Sequence, residues 1–202
     1  GCCGAIRTHL GDVEGGLADM RRNIDAWWPM VSAGKVEAIV INASGCGATV
    51  KDYAHALATD ADHADKARRI VELTRDVSEL LPDLVPALKA RLPKKLPVTR
   101  LAFHPPCSLQ HGMQLRGGVE AGLRELGFDV TLAAEESHLC CGSAGTYSVL
   151  QPDLSLRLRA RKLGHLLATE PTTIVSANIG CIQHLQAGTA KPVRHWIEVI
   201  DD

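Results

Sequence analysis

Aromatic side chains are scarce: phenylalanine, tryptophan and tyrosine make up 3% of the 202 residues. With so few stacking surfaces, and no basic block beyond Lys94-Lys95, the sequence lacks the cationic and aromatic platforms of a nucleic-acid binder. No apolar run approaches the roughly 20 residues that cross a bilayer as a helix, and no stretch reads as a secretory signal peptide. Two close C-x-x-C knuckles, the usual grip of a structural zinc ion, are also missing. So is any carboxylate pair or catalytic triad that would mark hydrolytic chemistry. A formal net charge of -1 with 46% hydrophobic residues predicts a globular chain, long enough to bury a core as one domain or as two small ones.

What the sequence does have is sulfur. Seven cysteines, an odd number, without a secretion signal point to a reducing compartment and to metal or redox sites. The competing reading is two or three disulfides plus a free thiol. Cys140 and Cys141 are adjacent, and a trans peptide holds their Cα atoms about 3.8 Å apart, below the roughly 4.4 Å of an unstrained disulfide. Two neighbouring thiolates also fit poorly on one tetrahedral ion, whereas a polynuclear iron-sulfur cluster offers each a separate iron. Both therefore read as cluster ligands.

The vicinal pair occurs twice, as Gly1-Cys2-Cys3-Gly4 and as Leu139-Cys140-Cys141-Gly142. Each is followed by an apolar stretch that ends in Gly-Cys, at Cys46 and at Cys181, with separations of 43 and 40 positions. An internal duplication is the economical explanation. The seventh, Cys107, precedes the second pair by 33 positions, and its counterpart would lie before residue 1. The frame thus predicts a first half, 1–92, truncated at its N-terminus, and a second half, 98–202.

Local pattern fills the frame. Leu17, Met20, Ile24, Trp27, Trp28 and Val31 predict a helical face with Asp12 as cap and Gly34 past its end. Ala38 to Ile41 reads as a buried strand, and Ser44-Gly45-Cys46-Gly47 as a turn into a helix through Tyr53 and Leu57. At that helix start the peptide dipole should favour the Cys46 thiolate. Asp60 to Leu81 reads as one helix, and Pro82, Pro86, Pro93 and Pro97 with Lys94-Lys95 as a connector. In the second half, strands are expected at Val98–Phe103, Phe128–Leu132 and Thr173–Ala177. Helices are expected over Gln114–Leu126 and from a cap at Asp153, the latter with Leu156, Ala160, Leu163 and Leu167 inward and Arg157, Arg159, Arg161 and Lys162 pointing elsewhere. This alternation predicts an α/β fold of two pseudo-repeated halves, each a small, mostly parallel sheet flanked by helices, with ligands at strand ends.

Four thiols from three loops, Cys107, Cys140, Cys141 and Cys181, suit a four-iron cluster in number. Cys2, Cys3 and Cys46 form a lesser candidate set. His104, His111, His138 and His184 lie near the cysteine loops, either as cluster ligands or sulfur hydrogen-bond partners or as ordinary polar loop residues.

The spacing Cys107... Cys140-Cys141-Gly142... Cys181 resembles the cysteine-rich CCG domain. That domain occurs twice in the B subunit of heterodisulfide reductase and in the iron-sulfur subunits of glycolate and lactate oxidising complexes. The likeness covers essentially the whole chain and is strongest for the glycolate oxidase iron-sulfur subunits, through Arg21-Arg22-Asn23-Ile24-Asp25-Ala26-Trp27-Trp28-Pro29, Ala43-Ser44-Gly45-Cys46-Gly47, His138–Ser148, Ala177-Asn178-Ile179-Gly180-Cys181 and Pro192–Glu198. It implies an electron-transfer subunit of a glycolate dehydrogenase carrying an iron-sulfur cluster of 4Fe-4S type. FAD and substrate would sit on flavoprotein partner subunits, and a quinone would be the eventual acceptor. Such a subunit would be cytoplasmic, or peripheral at the cytoplasmic face of the inner membrane. Members also carry a ferredoxin-like domain with two further clusters, which these residues do not supply. The fullest form of the pattern ends in C-x-x-C, where this sequence has Ala43 and Asn178 as leading residues, so a five-thiolate cluster is not expected. A lactate-utilisation or heterodisulfide-reductase-like role, and a non-redox docking scaffold with reduced thiols or zinc, are the alternatives.

Overall fold

The computed structural model describes residues 1–93 and 99–201, which pack as two units, Gly1–Val77 and Ser78–Asp202. Both are α/β, each with a small parallel sheet flanked by helices.

The first unit begins with α1 (Ala5–His9) and α2 (Val13–Ser32). Asp12 caps α2 as the sequence predicts, its carboxylate accepting from the Gly15 amide at 3.0 Å. Met20, Ile24 and Val31 are buried along the inward face. Trp27 and Trp28 are only half-buried, with Trp27 against the edge of the core. Strand β1 (Ile39–Ile41) leads into α3 (Ser44–Lys51), α4 (Tyr53–Ala56) and α5 (Ala64–Leu73). The single helix expected over Asp60–Leu81 is broken by β2 (Thr74–Asp76), which pairs in parallel with β1, Ile39 opposite Thr74. Three residues are too few to display an alternating pattern, and the polar Thr74 and Asp76 are the two that point inward.

Helix α6 (Val77–Arg91) then runs through Pro82 and Pro86, where the sequence predicts a connector. An interior proline costs about 3 kcal/mol. Burial of Val77, Leu81 and Val85 on one face, at about 1.5–3 kcal/mol each, offsets that cost. Lys94-Lys95, Pro97 and Val98 lie outside the described residues.

The second unit has four parallel strands in the order β4-β3-β5-β6. In chain order they are β3 (Arg100–His104), a π-helical turn Ser108–Gly112, α7 (Gly118–Glu125), β4 (Asp129–Leu132), α8 (Tyr147–Leu150), α9 (Pro152–Leu167), β5 (Thr173–Ser176), α10 (Ile179–Gln186), β6 (Val193–His195) and α11 (Glu198–Asp201). Helix α7 starts four residues later than expected because Gln114 takes a left-handed conformation. Strand β6 was not foreseen; it extends the sheet with Val193 opposite Ile174. Side chains of β3 and β5 alternate across the sheet, so Ala102 and Ile174 share a face packed by Leu163 and Leu166 of α9 and Ile182 and Leu185 of α10.

In the first unit, α2 is tied to the chain ahead of α5 by polar contacts. Arg21 Nε donates to Asp60 at 2.7 Å, and Asp60 also meets His63 Nδ1 at 3.0 Å. These partners, Arg21 foremost, hold the Asp60 carboxyl well below its usual range. A group with a depressed folded-state pKa stabilises fully above its unfolded pKa, about 3.9 for aspartate, and that contribution is lost as pH falls from there through the folded value. Asp60→Asn should therefore lower Tm at neutral pH and flatten the decline of Tm below about pH 4, as followed by circular dichroism; parallel Tm curves for the two proteins would refute the tie.

Candidate metal centre

In the second unit the cysteines come from the C-terminal ends of three parallel strands. Cys107 follows β3 at the start of the π-helical turn, Cys140 and Cys141 follow β4, and Cys181 lies in the first turn of α10 after β5. All four are free thiols; Cys141 and Cys181 are buried, while Cys107 and Cys140 are half-buried. The thiols interact in succession, Cys107 with Cys140, Cys140 with Cys141 and Cys141 with Cys181. The expected four-cysteine set is therefore gathered at one end of the sheet.

The surrounding polar groups point at sulfur. The Gly142 amide donates to Cys140 Sγ at 3.3 Å, Ser143 Oγ lies 3.3 Å from Cys141 Sγ and 4.0 Å from Cys181 Sγ, and Asn178 Nδ2 donates to Cys181 Sγ at 3.7 Å. Cys140 is held well below the ordinary thiol range, chiefly by Cys107 and Cys141, and Cys181 is lowered chiefly by Cys141. Cys107 and Cys141 are pushed up by their Cys140 neighbour and by burial. Ionising one thiol of the row therefore disfavours ionising its neighbour. Lys162 is buried behind them, and its ammonium donates to the carbonyls of Glu136 at 2.9 Å and Ser137 at 3.0 Å.

Gly142 sits at φ +96°, and a Cβ there would stand 2.4 Å from the Ser155 carbonyl of α9. Ser155 Oγ in turn donates to the Gly142 carbonyl at 2.7 Å and contacts His184 Nε2 at 3.2 Å. The same device recurs in the first unit. Gly4 sits at φ +93°, a Cβ there would stand 2.7 Å from the Gly16 carbonyl of α2, and the Thr8 hydroxyl donates to the Gly4 carbonyl at 3.1 Å. Cys46 is the third residue of α3, as Cys181 is of α10, and the preceding Ala43 and Asn178 are both extended. Asn23 and Tyr53 anchor the first pair: Asn23 Nδ2 donates to the Cys2 carbonyl at 2.7 Å, and Tyr53 OH to that of Cys3 at 2.9 Å.

Cys3 is drawn down to about 6, chiefly by Cys46, and Cys46 is pushed up, chiefly by Cys3. The expectation that the helix start would favour the Cys46 thiolate is thus reversed, because the adjacent Cys3 sulfur takes the negative charge instead. Cys2 is exposed.

Residues 1–51 and 101–186 match the sequence model of the CCG family, described as a cysteine-rich domain. The chain belongs to this family. Over 202 residues it is 51% identical to the glycolate oxidase iron-sulfur subunit of Escherichia coli (strain K12), of which it covers 48%. It is 30% identical over 188 residues to the probable glycolate oxidase iron-sulfur subunit of Bacillus subtilis (strain 168), covering 93% of this chain and 41% of that one. With lactate utilization protein A of Geobacillus kaustophilus it shares 26% identity over 209 residues, covering 99% of this chain and 82% of that protein. The chain spans about half the length of the two glycolate oxidase subunits it matches.

The backbone around the two vicinal pairs is alike in the two units, with Cys107, Cys140, Cys141 and Cys181 in the second and Cys2, Cys3 and Cys46 in the first. Of the histidines near the cysteine loops, His104 is buried and stands with Cys141 and Cys181, their ligating atoms within 4.8 Å of one another. His111 and His138 are exposed, and His184 is engaged by Ser155. Sequence reasoning missed Lys162, Ser155, Asn23 and Tyr53. The phase of α9 explains the first two. Its buried side is Ser155, Lys162, Leu163 and Leu166, one position off the expected face, which leaves Leu156 and Ala160 outside.

The donor set fits a thiolate-bound polynuclear centre: four thiols on three loops, amide, hydroxyl and carboxamide groups directed at sulfur, and a buried cation beside them. Gly142→Ala tests the frame that holds the vicinal pair. The left-handed backbone alone costs an L-residue about 1–2 kcal/mol, and the Ser155 carbonyl adds a collision. The variant should be destabilised by at least that amount in urea unfolding and should load less metal; wild-type stability would refute the close approach.

Proposed function

We propose that this chain is the iron-sulfur electron-transfer part of a flavin-dependent glycolate-oxidising complex. The observation that carries the reading is the convergence of Cys107, Cys140, Cys141 and Cys181, with hydrogen-bond donors aimed at their sulfurs, in a chain 51% identical to a protein named as a glycolate oxidase iron-sulfur subunit. These four cysteines would ligate a cluster of 4Fe-4S type, which when bound takes up and releases one electron at a time. Lys162 offsets the negative charge of the thiolates, and the amide of Gly142 and the carboxamide of Asn178 share it. FAD and glycolate would be bound by flavoprotein partners, and a quinone would receive the electrons, at the cytoplasmic face of the inner membrane. Among the described residues no helix is long and apolar enough to cross a membrane. Glycolate is preferred to lactate because the likeness to the lactate utilization protein is about half as strong in identity. Cys2, Cys3 and Cys46 form a partial version of the site.

One observation favours a second reading. His104, Cys141 and Cys181 bring three donors within 4.8 Å of one another, a set that one zinc ion could use, which would make the chain a docking scaffold for its partners.

Iron and acid-labile sulfide analysis of anaerobically purified protein, with EPR, separates the two. Iron and sulfide in stoichiometric amount are expected, with loss of this site's share and of its absorption in Cys140→Ser or Cys181→Ser. Stoichiometric zinc without sulfide would favour the scaffold. Lys162→Met should shift the midpoint potential to lower values, since a buried positive charge favours the reduced state; an unchanged potential would place the ammonium outside the electrostatic reach of the site.

A further inference from the structure

We propose that His104 is a nitrogen ligand to iron in the second unit's centre, which would make that centre a mixed imidazole-thiolate site rather than an all-cysteine one. The proposal rests on the reading that the site holds an iron-sulfur cluster.

Two observations carry it. The first is position. His104 ends β3 and is fully buried, and its ring shares with Cys141 and Cys181 a space in which all three donors lie within 4.8 Å of one another. Its backbone is fixed from both sides: the carbonyl accepts from Ser176 Oγ at 2.9 Å across the β3-β5 pairing, and Pro105 follows immediately. The residue before a proline is held extended, so the ring is placed by the sheet rather than by a movable loop.

The second is need. Both ring nitrogens of His104 are out of contact with solvent and neither makes a well-formed hydrogen bond; the group the ring interacts with is the Cys181 sulfur, itself a candidate ligand. Leaving a buried polar group unsatisfied costs about 1–3 kcal/mol, and Ala102, on the same face of β3 as His104, packs with Ile174, Leu163 and Ile182 in the apolar core. A bond from one nitrogen to metal removes that cost, and imidazole is a recognised replacement for thiolate on cluster iron. Where the fuller pattern has a cysteine, the Asn178 carboxamide instead donates to Cys181 Sγ at 3.7 Å, while His104 supplies the extra ligating atom.

The test uses the full-length protein, purified anaerobically with 15N-histidine and examined by pulsed EPR of the paramagnetic cluster. A strong nitrogen coupling that disappears in His104→Ala is expected, together with a lower midpoint potential in His104→Cys, because thiolate in place of imidazole adds negative charge. The labelled wild-type measurement needs no variant to fold. A cluster with only weak histidine coupling, of the size a hydrogen bond to sulfur gives, overturns the proposal and leaves the electron-transfer reading intact; so does a strong coupling that persists in His104→Ala. Zinc without sulfide overturns both.

Discussion

The second unit depends on one close approach, the carbonyl of Ser155 against the Cα of Gly142. Helix α9 leaves no room for a side chain there, so the chain leaving the vicinal cysteines must turn through a left-handed residue. That turn directs the Gly142 amide at Cys140 Sγ. Two adjacent residues ordinarily send their side chains apart, and a loop free to relax would separate the two sulfurs from Cys107 and Cys181. Here α9 holds both ends of the loop. Ser155 grips Gly142, while Lys162 grips the carbonyls of Glu136 and Ser137 ahead of the pair. Glu136 itself lies at φ 49° with its carboxylate engaged by Arg161 and His165. Strain of about 1–3 kcal/mol at a left-handed non-glycine residue persists where the surroundings over-determine it, and three α9 side chains do so.

The duplication survives in backbone more completely than in chemistry. Both units place a left-handed glycine against a helix carbonyl, satisfy that glycine's own carbonyl with a hydroxyl, and deliver a cysteine as the third residue of the helix after a parallel strand. In the first unit Asn23 and Tyr53 fasten the backbone of the pair directly. Geometry is set by sterics and main-chain hydrogen bonds, which tolerate changes of ligand. Ligation needs specific sulfur atoms, and a single replacement removes it.

The repeat, the alternation of strands and helices and the gathering of Cys107, Cys140, Cys141 and Cys181 were legible in the sequence because each leaves a local mark: a Cys-Cys-Gly triplet, an apolar run, a Gly-Cys at its end. Strands β2 and β6 were not, since three-residue strands show no periodicity and Thr74 and Asp76 turn polar atoms inward. Pro82 and Pro86 misled in the other direction, because a buried helical face outweighed their cost. Lys162 falls off the inward face that the sequence pattern predicts, because its burial depends on the carbonyls of residues 25 and 26 positions away, which no local pattern reveals. His104 did leave a trace, since His104-Pro105-Pro106-Cys107 has the spacing of a metal knuckle with histidine in the first place.

The opposition between neighbouring thiols in the second unit follows from charge. Two unit charges 4 Å apart repel by about 4 kcal/mol at an effective dielectric constant of 20, so neighbours along the row Cys107, Cys140, Cys141, Cys181 cannot both ionise without added positive charge. Cys140 and Cys181 are favoured as the charged members chiefly by their cysteine neighbours, with smaller help from the Gly142 amide and the Asn178 carboxamide. Lys162 and the start of α10 supply part of the balance. A cationic metal centre bound here would supply the rest, and its thiol ligands would give up their protons to it. Sulfurs whose charges oppose one another in this way are a physical reason for a cationic guest to be stabilised among them.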